Sequence, residues 1–193
     1  DRFLYRRVAA GEWSIERLLR EELARSPERG NSSVTDRLMG LSYGVDRQIK
    51  RGLPVEDEFL TAQQHIAEYQ EFALGLQNPD GTWHPQFFAR RGASRDTDGL
   101  LCSTSHILEW LVFSLPEDRL EDARVVRSVG YLAQRLGNQR TRWSVTSKTP
   151  QDIRALMHSA HALRIYDRRV FQPADPKEPE AKPESEMPEK LAY

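Results

Sequence analysis

The chain has 193 residues, of which 38% are hydrophobic and 30% charged, with a mean hydropathy of −0.68. These values describe one globular body, and since no apolar run reaches the roughly 18 residues of a membrane helix, a membrane span is excluded. Lys and Arg total 28 against 29 Asp and Glu, a net charge of −1, so bulk electrostatics give no reason to expect a nucleic-acid partner. A single cysteine, Cys102, excludes an internal disulfide. The first residue is Asp1 rather than methionine, which predicts a processed product or a piece of a longer protein.

Helical periodicity runs through the chain, and β-branched runs of strand length are missing. Ile15, Leu18, Leu19 and Leu23 mark one face of a helix over 12–26, ended by Pro27. Asn31, Ser32 and Ser33 offer an N-cap for a helix over 34–51, stopped by Gly52 and Pro54. A helix over 55–77 has Phe59, Ile66, Tyr69, Phe72, Ala73 and Leu76 inward and closes at Asn78-Pro79-Asp80-Gly81, a turn sequence. The stretch 84–97 lacks a period and reads as a long loop. The helix over 98–115 is apolar nearly all round through Ile107–Phe113, which predicts burial on several sides. Helices over 119–137 and 150–169 complete the body of 1–171, and 172–193, with five of the 11 prolines, reads as a disordered Pro/Glu-rich tail.

A repeat of about sixty residues organises these helices. Pro54 lies 29 residues before Trp83 and Pro116 lies 27 before Trp143, while Ser105-His106-Ile107-Leu108 aligns with Ala160-His161-Ala162-Leu163. With a worn copy around Trp13, three αα-hairpins fill the body, stacked so that neighbours bury a core no unit buries alone. The segment Phe72-Ala73-Leu74-Gly75-Leu76-Gln77-Asn78-Pro79-Asp80-Gly81-Thr82-Trp83 resembles the Gln-Trp repeat of the prenyltransferase and squalene-cyclase superfamily. That resemblance implies an all-α fold, an arc or part of an α/α toroid whose inner helices line a cavity. Read from the residues themselves, the segment is structural: a turn, a Gln77 bond to loop backbone, and a Trp83 plug in the seam between hairpins.

Candidate chemistry gathers on the later helices. Asp96-Thr97-Asp98-Gly99 resembles the acid motif of squalene-type cyclases, with Asp98 on the proton-donating position but glycine in place of the last aspartate, and a helix N-cap by Thr97 or Asp98 is the preferred reading. Asp98, Cys102 and His158 follow the order of the zinc ligands in protein prenyltransferases, yet Cys102 beside Leu100 and Leu101 reads better as a small buried hydrophobe, so no metal and no cofactor are expected. Arg90, Arg91 and Arg95 read as solvated loop charge. Ser103, His106 and Trp110 share a stripe, and with His158 and His161 they are the predicted ligand-binding residues of a polar, aromatic cleft. The competing reading makes His106 and His161 hairpin contacts, each donating a ring N–H to a carbonyl of the neighbouring unit.

The function expected is therefore a noncatalytic helical-repeat module that binds a protein partner or small ligand on its concave inner-helix face. An isoprenoid cyclase or prenyltransferase-type enzyme, or a fragment of one, is the alternative. A homodimer or further toroid sequence upstream of Asp1 is expected to cover the apolar ends that stacked hairpins leave.

Overall fold

The computed structural model describes residues 14–25, 30–139 and 150–172. Trp13, Trp143 and residues 173–193, on which two copies of the repeat and nearly all of the tail rest, lie outside the described residues. The fold is all-α. Among the described residues there are six α-helices, α1 (Ile15–Ala24), α2 (Ser33–Lys50), α3 (Asp57–Leu76), α4 (Thr97–Ser114), α5 (Ala123–Gln139) and α6 (Pro150–Val170), with single 3-10 turns at Phe87–Ala89 and Glu117–Arg119 and no strand.

Local chemistry sets the helix ends. Ser14 caps α1 by accepting from the Arg17 amide, and α2 stops where Gly52, at φ 68°, donates its amide back to Ile49. Asp96, rather than Thr97 or Asp98, caps α4, its carboxylate taking the Gly99 N–H at 2.9 Å. Helix α5 starts later than periodicity places it, because residues 117–119 form a 3-10 turn and Asp122 accepts the Arg124 amide at 2.8 Å. Proline at the first position of α6 removes an N–H that would have had no partner.

Packing places α4 at the centre, as its all-round apolar run predicts: residues 103–112 are buried without exception. Its main contact is α6, with α2 on its other flank, so α2, α4 and α6 form a row. Helices α1 and α3 pack on α2, α3 also touches α4, and α5 touches both α4 and α6. Arg169 on α6 donates to the carbonyls of Val112, Phe113 and Leu115 at 2.8 to 3.1 Å, satisfying backbone oxygens that the end of α4 leaves open.

The 84–97 stretch is less free than its lack of period suggests. Phe87 and Phe88 are both buried, and Phe88 sits with its ring edge-on to Tyr69 and Trp110 at centroid distances of 5.9 and 6.3 Å. Two phenylalanines in sequence are thus enough to tie a loop of irregular backbone to the core.

The Gln77–Trp83 turn is the other fastening. Gln77 donates to the Arg124 carbonyl and to Ser128 Oγ on α5, each at 2.7 Å, while Asn78 bonds Thr82 and both backbone groups of Gly92. Trp83 is fully buried, its Nε1–H on the Ala73 carbonyl at 2.7 Å, and its own amide and carbonyl are bound by Thr104 and Ser103 of α4. One turn therefore joins α3, α4 and α5, and Gln77 bonds α5 where the sequence predicts loop backbone.

Candidate functional site

Three helices present the same spacing to one cavity. Asp36, Met39 and Tyr43 on α2, His106, Glu109 and Phe113 on α4, and His158, His161 and Ile165 on α6 each step by three and then four residues along one helix face. Together with Thr35 they line a cavity of about 390 Å³. No residue of α1, α3 or α5 contributes, so the cavity lies on the α2–α4–α6 row alone.

Glu109 is the hub. It interrupts an apolar run, is 8% exposed, and would be costly to bury as an unpartnered charge. Both oxygens are used: His158 Nδ1–H donates to Oε2 and His161 Nδ1–H to Oε1. Burial pushes the Glu109 carboxyl up, and the hydrogen bonds of His158 and His161, with their electrostatic attraction, together more than reverse this, holding it below its ordinary value of 4.5. His106 is 3% exposed, lies with its ring centroid 3.8 Å from that of His158, and donates Nδ1–H to the Cys102 carbonyl at 2.8 Å.

An ionised carboxylate and a carbonyl only accept hydrogen bonds, so all three imidazoles carry a proton on Nδ1. Each Nε2 has no protein partner among the described residues. Burial lowers the His106 pKa from 6.5, with the nearby His158 and Arg154 acting in the same direction and the Cys102 carbonyl and Asp36 opposing. His106 is therefore neutral at pH 7.

Of the five residues predicted to bind a ligand, the structure brings His106, His158 and His161 to one cavity and puts Ser103 and Trp110 elsewhere. Ser103 is fully buried with its hydroxyl on the Trp83 carbonyl at 2.7 Å, and Trp110 is fully buried with Nε1–H on Ser42 of α2 at 3.1 Å. The shared stripe was real on paper, but α4 is enclosed, and its sides meet different neighbours. The hairpin-contact reading also needs correction: His106 bonds a carbonyl of its own helix and His161 a carboxylate, neither a carbonyl of the adjacent unit. In space His106 sits beside His158, three residues before the partner that the sequence alignment chose.

The other candidates lie apart from the cavity. Asp98 is exposed in the first turn of α4. Burial raises the Cys102 thiol, which keeps it protonated and disfavours a metal-binding thiolate, and among the described residues no group of three His, Cys, Asp or Glu is arranged to hold a metal. Arg90, Arg91 and Arg95 are exposed. By contrast, a larger groove of about 500 Å³ between α1 and α2, walled by Ile15 and Leu18, shares Asp36 and Tyr43 with the cavity, and its Arg37 and Arg25 pair with Glu22 at 3.0 and 2.7 Å. Convergent polar groups distinguish the smaller cavity.

Sequence reasoning passed over Glu109, Asp36, Met39 and Tyr43. Only Glu109 carried a signal, a lone carboxylate between Leu108 and Trp110 that has to find partners once α4 is read as central.

No family model, curated protein or solved structure matches this chain. No helix among the described residues is long and apolar enough to cross a membrane.

The site makes stability depend on acid. His106 and Glu109 both have lowered values in the fold, so the unfolded chain binds more protons as pH falls, and the contribution of these two groups to stability is complete above 6.5. The expected profile of urea midpoints falls from 6.5 downward through His106 and again below 4.5 through Glu109. His106→Asn, which keeps an N–H donor without titrating, should make the first fall shallower, leaving the part that the burial of His65 contributes, and Glu109→Gln should make the second shallower. A wild-type midpoint that stays level from 6.5 to 4.5 would contradict the burial argument.

Proposed function

We propose that this chain is a noncatalytic helical-repeat module that holds a small ligand in the cavity of α2, α4 and α6. The observation that carries this reading is Glu109, a buried carboxylate used wholly to orient two histidines into a space walled otherwise by Met39, Tyr43, Phe113 and Ile165. A fold needs no such arrangement for stability, since an apolar residue at 109 would pack without desolvating a charge. A volume of about 390 Å³ lies in the range of small-molecule sites, and apolar walls with a few converging polar groups are their usual lining. The Gln77–Trp83 turn supports the likeness to the Gln-Trp superfamily, with α2, α4 and α6 as inner helices of an arc. The cyclase alternative asks for an acidic aspartate above the pocket, and the exposed Asp98 offers none.

Binding of small-molecule fragments followed by imidazole NMR tests the reading. Ligands of the cavity should shift His106, His158 and His161 together, and Met39→Trp, which fills the space, should abolish those shifts while the melting temperature shows the fold intact. Fragments that shift Leu18 and leave the three histidines unmoved would assign the function to the α1–α2 groove instead.

A further inference from the structure

The cavity is rich in acceptors and poor in donors. Its lining includes the carboxylates of Asp36 and Glu109 and, among the described residues, neither lysine nor arginine. Three imidazoles spend their Nδ1 protons on protein acceptors, so in the neutral form each offers a ligand a lone pair at Nε2. The Asp36 carboxylate, exposed in the first turn of α2 where the cavity and the α1–α2 groove meet, makes no side-chain hydrogen bond or ion pair among the described residues. Beside these acceptors the rings of Tyr43 and Phe113 stack at 6.4 Å with an interplanar angle of 21°, an aromatic wall of the kind that attracts cations.

A ligand that satisfies this lining has to bring several protons, a positive charge and an apolar body. We infer that the cavity binds an organic ammonium ion, a small primary amine whose N–H groups meet the free imidazole nitrogens and Asp36 while its body lies against Tyr43 and Phe113. This rests on the ligand-binding reading given above. Carboxylic acids and phosphates are disfavoured because the only fixed charges in the lining would repel them. A neutral alcohol brings one donor where an ammonium brings three.

Calorimetric titration of the full chain at pH 8, above the ordinary imidazole range, tests the inference with phenethylamine, 2-phenylethanol and 3-phenylpropionate, which share one aryl body. Phenethylamine should bind about tenfold or more tightly than the alcohol, and the carboxylate should not bind detectably. Asp36→Asn, an exposed change, should weaken the amine about three- to tenfold and leave the alcohol unchanged, and Met39→Trp should abolish both. Equal binding of amine and alcohol, or tighter binding of the carboxylate, still sensitive to Met39→Trp, would overturn the ammonium and leave the cavity as a site. Amine binding indifferent to Met39→Trp, whether or not Asp36→Asn weakens it, would place it outside the cavity and overturn the inference, since Asp36 also lines the α1–α2 groove and Met39 does not, and no binding of any probe would overturn the cavity reading with it. Nα-acetyl-lysine amide is a fourth arm: tighter binding than phenethylamine would assign the site to a lysine of a partner protein and not to a free amine.

Discussion

Replacing Trp83 by alanine is expected to cost about 3 to 5 kcal/mol of stability. The indole is fully buried and lies where α3, α4 and the turn between them meet, so its removal leaves a cavity whose walls belong to separate helices. It also has a polar duty. Ala73 is among the last four residues of α3, whose carbonyls have no partner within the helix, and Trp83 Nε1–H supplies the bond to it. Trp83→Phe keeps much of the volume and loses that bond, so it should cost about 1 to 3 kcal/mol. Urea denaturation monitored by far-UV circular dichroism checks both, and Trp83→Ala indistinguishable from wild type would remove the tryptophan from the seam.

Gly81→Ala is expected to destabilise by about 2 to 5 kcal/mol, from the left-handed backbone and overpacking together. Gly81 has φ 88°, and a Cβ there would stand 2.7 Å from the Arg127 carbonyl oxygen and 3.0 Å from the Ser128 amide nitrogen. Those atoms are backbone of α5 and cannot swing aside as a side-chain tip would. The same close approach lets Ser128 Oγ donate to the Gly81 carbonyl, so a shift of α5 also breaks a buried bond. Gly75→Ala is the control: it lies inside α3 with nothing within 4 Å of its added Cβ, and it should stabilise by about 0.5 to 1 kcal/mol. A Gly81→Ala protein as stable as wild type would mean that the turn does not abut α5 in solution.

Asp36, Met39 and Tyr43 illustrate where reading residues in order stops. They stand three and four residues apart on α2, a spacing that any helix face provides, and nothing in their types marks that face over the one carrying Leu38, Leu41 and Val45 into the core. His106, His158 and His161 drew attention because imidazoles on central helices are few, yet Ser103 and Trp110 were grouped with them on equal grounds and went to other neighbours. On a helix buried all round, periodicity names no outward side, because every side meets a neighbour, polar and apolar residues alike.

What the sequence by itself determined is local. Helix positions followed from apolar spacing, caps and the proline and glycine stops; the Gln77–Trp83 turn followed from residues whose backbone preferences and hydrogen-bonding groups act within a few positions; the all-α class followed from both. Tertiary structure alone decided that Phe87 and Phe88 pin the loop before α4, and that the lone carboxylate of the central helix meets two histidines 49 and 52 residues away. The physical reason is that a buried charge specifies the need for a partner but not its address, which is set by how the row of α2, α4 and α6 packs, and packing is a property of all the side chains at once.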